Sequence, residues 1–170
     1  MAEDHIEIIV EVPKGSRNKY EYNHETHRIE LDRRLFSATT YPADYGFIDE
    51  TLARDEDPLD ALVLLDDPTF PGCVVRARPL GVLEMEDEKG PDEKIICVPV
   101  FDPIYAEVEN LDGLKQPLLN EIEHFFDVYK MLEPNKKTTM SGYKGSDDAW
   151  AVIRDAQERY RKGQDRPNTG

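Results

Sequence analysis

The stretch DEDPLDALVLL, residues 55–65, places four acidic side chains in one turn directly before a near-continuous apolar run. A short apolar run bounded by turn residues is typical of a strand that is buried on both faces. Residues 60–65 are therefore predicted to form a central strand, and DDPTFPG closes it with a turn. A central strand needs partners on both sides, and the flanking sequence contains them.

Strand patterns surround this segment. In IEIIVEV, residues 6–12, the side chains Ile6, Ile8 and Val10 fall on one parity and Glu7 and Glu11 on the other, the period-two pattern of a half-buried strand. Further strands are predicted at residues 19–22, 28–35, 73–86 and 94–100. The segment YPADYGF, residues 41–47, is interpreted as a turn with two tyrosines, and DEKGPDEK, residues 87–94, as a polar hairpin tip.

The period changes after residue 110. Apolar residues recur at helical spacing from about 114 to 132, which predicts one amphipathic helix. A second helix is predicted to begin at Ser146, with Trp150, Ile153 and Tyr160 as its apolar stripe. Strands followed by helices indicate an α+β fold, and five or six short strands suit a small OB-like antiparallel β-barrel with the two C-terminal helices packed against it.

Composition limits the function classes. The 170 residues fit one domain, assigned here to residues 1–170. Lys plus Arg number 21 against 36 Asp plus Glu, so the net charge is −15, which argues against nucleic acid as a partner. No apolar run approaches the ~18 residues of a membrane span, and the acidic N-terminus is unlike a signal peptide. Cys73 and Cys97 lie in separate apolar segments, which indicates buried thiols and a cytoplasmic chain.

Three charged residues share the parity of apolar ones. Arg33 follows the Ile29 and Leu31 face, Asp87 follows Leu83 and Met85, and Lys94 precedes Ile96 and Val98. Each could turn to water through a twist or bulge at its strand end. Three such residues of mixed sign favour a polar pocket at the barrel mouth, because a buried charge must be paired.

The acidic turn 55–60 is the strongest local signal. Clustered carboxylates repel one another unless a hard divalent cation neutralises them, although a solvated acidic turn is about equally expected from these six residues alone. An EF-hand does not fit, because Leu59 and Asp60 stand at positions 5 and 6 counted from Asp55, where that loop needs a ligand and a glycine. An Asp on a strand beside two Asp on a turn suits Mg²⁺, which takes few carboxylates and keeps water and substrate phosphate as its other ligands.

Several segments, taken in order, resemble the soluble family I inorganic pyrophosphatases. They are EVPKGSRNKYEY, LDR at 31–33, YPADYGF, DEDPLDALVLL, the acidic tip ending in Lys94, and HFFDVYKMLEP. The D-x-D-P-x-D-x-L signature is specific, and the match covers roughly residues 6 to 136. The resemblance implies a cytoplasmic enzyme that hydrolyses pyrophosphate to two phosphates, uses Mg²⁺, has an OB-like barrel and forms a homo-oligomer, usually a hexamer in bacteria.

The resemblance also implies roles for individual residues. Direct Mg²⁺ contact is expected of Asp55, Asp60, Asp87 and Asp92, and contact through water of Glu11 and Glu21. Phosphate contacts are expected of Lys19, Arg33, Tyr45, Lys94, Tyr129 and Lys130. Asp57 is expected to be the general base. This assignment suits the chemistry, since metal ions and cations neutralise an anionic substrate while a carboxylate accepts a proton from the attacking water.

Two further hypotheses follow from the sequence. A non-catalytic OB-type module that binds nucleotides or oligonucleotides is the alternative function, although the −15 charge and the surplus of carboxylates count against it. A stable oligomer is also expected, because Phe125 and Phe126 are adjacent on one helix and one of them could lie in a subunit contact.

Overall fold

The computed structural model describes residues 4–164, which form eight strands and two α-helices. The strands are β1 (Ile6–Val12), β2 (Asn18–Asn23), β3 (Arg28–Arg34), β4 (Asp44–Ile48), β5 (Asp60–Val63), β6 (Val74–Asp87), β7 (Gly90–Pro99) and β8 (Thr139–Gly145). The helices are α1 (Gln116–Val128) and α2 (Ser146–Gln164). The α+β class and the start of α2 at Ser146 were predicted correctly.

Five strands close into a ring. Strand β1 pairs with both β4 and β6, and the path β1-β4-β5-β7-β6 returns to β1. Strand β8 adds to the outside of β6, while β2 and β3 form a separate two-stranded sheet. All pairings in the ring are antiparallel except β5 with β7, which run parallel. The architecture is therefore the OB-like barrel expected from the sequence, with one parallel pair that the antiparallel prediction did not contain.

Two strands were missed in the sequence. Residues 41–47 were interpreted as a turn, yet Asp44–Ile48 forms β4, and its fully buried segment pairs on both sides. Gly46 makes this possible, because a Cβ at this position would lie 2.0 Å from the carbonyl oxygen of Ile9 on β1. Strand β8 was not assigned at all. The hairpin tip was predicted too long, since β6 and β7 continue to Asp87 and Gly90 and only two residues separate them.

The two faces of the central strands enter two different cores. Leu62 of β5 belongs to a cluster with α1, whereas its neighbour Ala61 belongs to a cluster with α2. Ile96 and Ile95 of β7 divide between the same two clusters. Burial on both faces explains why this stretch is continuously apolar rather than alternating. Helix α2 contributes Ala149, Ile153 and Ala156 to its core, while Trp150 and Tyr160 of the predicted stripe are only half-buried.

Helix α1 buries both of its adjacent phenylalanines. Phe125 and Phe126 are 3% and 0% exposed, and their rings meet edge to face with centroids 5.1 Å apart. Phe125 packs on Tyr41 and Phe126 on Tyr45, so the β3–β4 region supplies a surface wide enough for both. The expectation that one of them faces a subunit contact was wrong. Cys97 is buried as expected, but Cys73 is half-exposed, and both are free thiols.

Candidate functional site

One cleft of about 480 Å³ gathers side chains from across the chain. All thirteen residues singled out in the sequence line it: Glu11, Lys19, Glu21, Arg33, Tyr45, Asp55, Asp57, Asp60, Asp87, Asp92, Lys94, Tyr129 and Lys130. These residues come from β1, the β2–β3 hairpin, β4, the turn before β5, the β6–β7 hairpin and the end of α1. The fold therefore brings together every candidate that the sequence separated by up to 119 positions.

The acidic turn is held in shape by the Thr51 hydroxyl and by a backbone hydrogen bond. Thr51 Oγ1 donates to the Ile48 carbonyl at 2.6 Å and accepts from the Leu59 N–H at 2.9 Å, which ties the two ends of the loop together. The Ala53 N–H donates to the Asp57 carbonyl at 2.7 Å. Glu56 takes a left-handed conformation with φ of 70°, which is uncommon for a residue with a Cβ. The tight turn directs Asp55 and Asp57 toward one cleft.

Lys94 lies at the centre of the cleft wall with only 2% of its side chain exposed. Its Nζ lies 2.6 Å from Asp60 Oδ2 and 3.0 Å from Asp92 Oδ1, and it donates to the Tyr45 hydroxyl at 3.0 Å. Asp60 and Lys94 are register partners in the parallel β5–β7 pair, so the strand pairing itself creates the contact. Burial alone would lower the pKa of Lys94, but Asp60, Tyr45 and Asp92 raise it well above its ordinary value. Lys94 therefore stays protonated although it is buried, because its carboxylate partners offset the effect of burial.

The opposite wall is formed where α1 ends. The helix was predicted to reach about residue 132 but ends at Val128, and the Tyr129 N–H caps it by donating to the Phe125 carbonyl at 2.8 Å. Lys130 follows in the next turn, and its Nζ lies 3.5 Å from Asp87 Oδ2 at the end of β6. The early end of the helix thus directs Lys130 to the hairpin tip.

The β2–β3 hairpin forms the third wall. Lys19 Nζ lies 2.8 Å from Glu21 Oε1, and Glu11 Oε2 accepts from the Tyr22 N–H at 2.7 Å, which ties the hairpin to β1. Leu31 was predicted on a core face shared with Arg33, but it is 60% exposed. The prediction of a core face for Leu31 was wrong because β2 and β3 form a separate small sheet, on which Leu31 is exposed to solvent.

Protonation is shifted for several groups in the cleft. Burial raises the pKa of Glu11 to about 7, although the Tyr22 N–H opposes this change. Burial also raises the pKa values of Asp55 and Asp92, and the nearby carboxylates add to the rise. The pKa values of the Tyr45 and Tyr129 phenols are raised by burial, so both keep their protons. The carboxylates carry excess negative charge that a bound cation would relieve.

The donor set suits a hard divalent cation. Carboxylate oxygens dominate the cleft, and neither cysteine lies on its wall, which favours Mg²⁺ over soft metals. Among residues 4–164, no three potential ligands stand close enough to form a preassembled metal site. Asp60 and Asp92 are instead held by Lys94, and Asp57 Oδ2 lies 3.7 Å from Lys89 Nζ.

Some lining residues were not identified in the sequence as site residues. They include Tyr20, Tyr22, His24, Asp32, Tyr41, Phe47, Pro58, Glu88, Lys89 and Lys136. Tyr41 is 1% exposed, and its hydroxyl has no hydrogen-bond partner among the residues described. Lys136 follows α1 and pairs with Glu88 at 2.9 Å. No local pattern distinguishes Lys136 from the adjacent Lys137, so only the fold could assign it to the cleft.

Sequence and structure comparisons find similar proteins over most of the chain. The family model for inorganic pyrophosphatase matches residues 8–161. An inorganic pyrophosphatase of Streptomyces coelicolor is 50% identical over 155 residues, covering 91% of this chain and 95% of the relative. One from Methanosarcina acetivorans is 52% identical, covering 94% and 95%. The solved inorganic pyrophosphatases of Helicobacter pylori and Thermus thermophilus superpose with TM-scores of 0.91 at 43% and 42% identity; the two matches cover 93% and 94% of this chain, and 94% and 93% of theirs.

Proposed function

The chain belongs to the inorganic pyrophosphatase family, and from this premise we propose that the cleft hydrolyses pyrophosphate to two phosphates with Mg²⁺ as cofactor and Asp57 as general base. The observation that carries the proposal is the meeting of two opposed sets of charges in one cleft. Carboxylates of the acidic turn and the β6–β7 hairpin face cations from β2, β3, β7 and the end of α1. This pairing suits a substrate that is a polyanion accompanied by metal ions.

The carboxylates are assigned by position. We propose that Asp55, Asp60, Asp87 and Asp92 bind Mg²⁺ directly and that Glu11 and Glu21 act through water. When bound, Mg²⁺ neutralises charge on the substrate and lowers the pKa of water in its coordination shell. The oxygen-rich donor set supports Mg²⁺ as the ion.

The cations and phenols are assigned to the phosphate groups: Lys19, Arg33, Tyr45, Lys94, Tyr129 and Lys130. Tyr45 accepts a hydrogen bond from Lys94, which leaves its own proton free to be donated to a phosphate oxygen. The Arg33 guanidinium can hold two oxygens at once, while the lysines act as point charges. Preorganised donors of this kind stabilise charge that spreads over the transferring phosphoryl group.

Asp57 is the carboxylate of the turn best suited to accept a proton. Its side chain is 64% exposed, and its nearest cation is the exposed Lys89 at 3.7 Å. Asp60, in contrast, is held at 2.6 Å by the buried Lys94. A carboxylate without a tight ion pair can take a proton from the attacking water and return it to solvent, as a general base must.

The alternative, a non-catalytic OB-type module for nucleotides or oligonucleotides, is less compatible with the cleft. Such modules combine a basic groove with aromatic side chains on which bases stack. Here the carboxylates would repel a nucleic-acid backbone, and the whole chain carries a charge of −15.

No helix among residues 4–164 has the length and apolar character needed to cross a bilayer.

We further propose a cytoplasmic homo-oligomer, a hexamer by analogy with the bacterial members of the family. With Phe125 and Phe126 buried, other residues must form the contacts. Phe101, Phe70 and Ile104 are 85%, 64% and 59% exposed and are available for them.

Phosphate release from pyrophosphate tests the proposed function. The purified protein should release two phosphates per substrate when Mg²⁺ is present and none after chelation, with activity restored when Mg²⁺ is added back. Binding of oligonucleotides without any phosphate release would instead support the alternative. Hydrolysis that persists in excess chelator would refute the metal assignment.

A further inference from the structure

Glu133 is a nearly buried carboxylate outside the wall of the cleft, with 6% of its side chain exposed. It lies in the turn after α1, three residues beyond Lys130, and its N–H donates to the Lys130 carbonyl at 2.9 Å. A carboxylate is rarely buried unless it is paired. The partner of Glu133 lies one hundred residues earlier in the chain, on β3.

That partner is Arg33. Its Nη2 donates to Glu133 Oε2 at 3.1 Å, and its Nε lies 2.9 Å from Glu133 Oε1, although the Nε–H is not aligned for a hydrogen bond. The two Glu133 oxygens thus face the same edge of the guanidinium, the one formed by Nε and Nη2. The remaining nitrogen, Nη1, donates to Asp32, whose side chain is 31% exposed at the cleft. Arg33 therefore has a buried anion behind it and an exposed one toward the cleft.

The two anions differ in what a ligand can do to them. Asp32 lines the cleft, so an incoming phosphate can compete with it for Nη1. Glu133 does not line the cleft, and a ligand that enters there cannot displace it. Glu133 thus fixes the rotation of the guanidinium plane whether or not the site is filled, and the same turn fixes the backbone of Lys130.

We propose that Glu133 is a positioning residue for substrate binding, which aims the free edge of Arg33 at a phosphate group; the inference rests on the pyrophosphatase function proposed above. A negative charge near an anion site weakens anion binding by simple Coulomb repulsion. Glu133 therefore favours phosphate binding only if holding Arg33 in place contributes more than the repulsion costs. A guanidinium that is already held in place loses less conformational freedom when it binds a phosphate.

The direction in which KM changes in Glu133→Gln distinguishes three possible roles of Glu133. If Glu133 positions Arg33, then Glu133→Gln should raise the KM for pyrophosphate about tenfold or more. The amide keeps one acceptor oxygen but loses the charge, and its NH2 group replaces the second oxygen that faces the guanidinium. If Glu133 only contributes a repulsive field, the same substitution should lower KM. If it is merely structural, the melting temperature should fall while KM stays unchanged.

The experiment measures kcat, KM and melting temperature for Glu133→Gln, for Arg33→Ala and for the double variant, with inorganic phosphate as a second probe of binding. Glu84→Gln is the matched control, because Glu84 pairs with Lys144 at 3.1 Å away from the cleft and should leave KM unchanged. In the Arg33→Ala background, Glu133→Gln should no longer raise KM, because only the repulsion by Glu133 is left to remove.

The outcomes are distinguishable. An unmodified protein without hydrolysis would refute the proposed function itself. An active protein whose KM is unchanged or lowered by Glu133→Gln would overturn the positioning role, as would equal effects with and without Arg33. If the Gln variant does not fold, Glu133→Asp tests the same point, since it keeps the charge but holds the guanidinium less well and should give an intermediate rise in KM.

Discussion

Glu11→Gln should stabilise the metal-free protein at neutral and alkaline pH. Glu11 is half-buried on the wall of the cleft, and this burial raises its pKa from 4.5 to about 7. The folded pKa lies above the unfolded one, so folding is unaffected below about pH 4.5 and loses stability as the pH rises to 7. At ~1.4 kcal/mol per pH unit, the full cost above pH 7 is at most roughly 3.5 kcal/mol. The glutamine removes the charge but keeps an oxygen that can accept from the Tyr22 N–H.

Urea unfolding in the presence of a chelator measures this effect. The free energy of unfolding of Glu11→Gln should exceed that of the unmodified protein by about 1–3 kcal/mol above pH 7, and the difference should shrink toward pH 4.5. Glu7→Gln is the matched control, since Glu7 lies on the same strand with a 57% exposed side chain and a surface ion pair to Arg76 worth ~0–1 kcal/mol. A Glu11→Gln protein that is no more stable than the unmodified one above pH 7 would contradict the reasoning.

The metal site, the Glu88–Lys136 ion pair and the oligomeric state can each be tested. Adding Ca²⁺ should weaken Mg²⁺-dependent hydrolysis, because the longer and looser coordination of Ca²⁺ misplaces the reacting groups. Full activity in Ca²⁺ alone would contradict the assignment of Mg²⁺. Burial alone would raise the pKa of Glu88, but Lys136 and Lys130 lower it to about 2, so Lys136→Met should raise the pKa of Glu88. The stability that this ion pair contributes should be present above about pH 4.5 and lost as the pH falls toward 2. If NMR titration of Lys136→Met still gives Glu88 a pKa near 2, the pairing is refuted. Light scattering at micromolar concentration should give the mass of an oligomer, and a monomeric mass would refute that proposal.

Part of the cleft could be predicted from strand patterning, because some of its charges lie on apolar strand faces; the roles of residues such as Glu11, Tyr45 and Tyr129 came only from the resemblance to the family. Lys94 shares parity with Ile96 and Val98, and it is indeed buried beside them. Asp87 shares the buried parity of Leu83 and Met85 and lies on the cleft. A charge on an apolar face must be paired, so pattern alone indicated a polar site before any contact was known.

Other features depend on contacts between distant residues. Leu31 alternates like a core residue, yet only the tertiary arrangement shows that its sheet is separate from the barrel. Phe125 and Phe126 are both buried because they pack against the rings of Tyr41, just before β4, and Tyr45, on β4. Glu133 is an ordinary acidic residue in the sequence, and its partner Arg33 lies one hundred residues away. Pairs of this kind carry no local periodic signal.

The central claim is that this cleft hydrolyses pyrophosphate with Asp57 as the base, and a comparison of aspartate variants tests it most directly. Initial rates of phosphate release are measured for Asp57→Asn, Asp55→Asn and Asp60→Asn across pH and Mg²⁺ concentration, with the exposed Asp67→Asn as control. Asp57→Asn should lose ~10²–10⁴-fold in rate with its optimum moved to higher pH, while its Mg²⁺ requirement changes little. Asp55→Asn and Asp60→Asn should raise the Mg²⁺ requirement, because an amide oxygen is a poorer ligand. Near-normal turnover of Asp57→Asn at neutral pH would contradict the account.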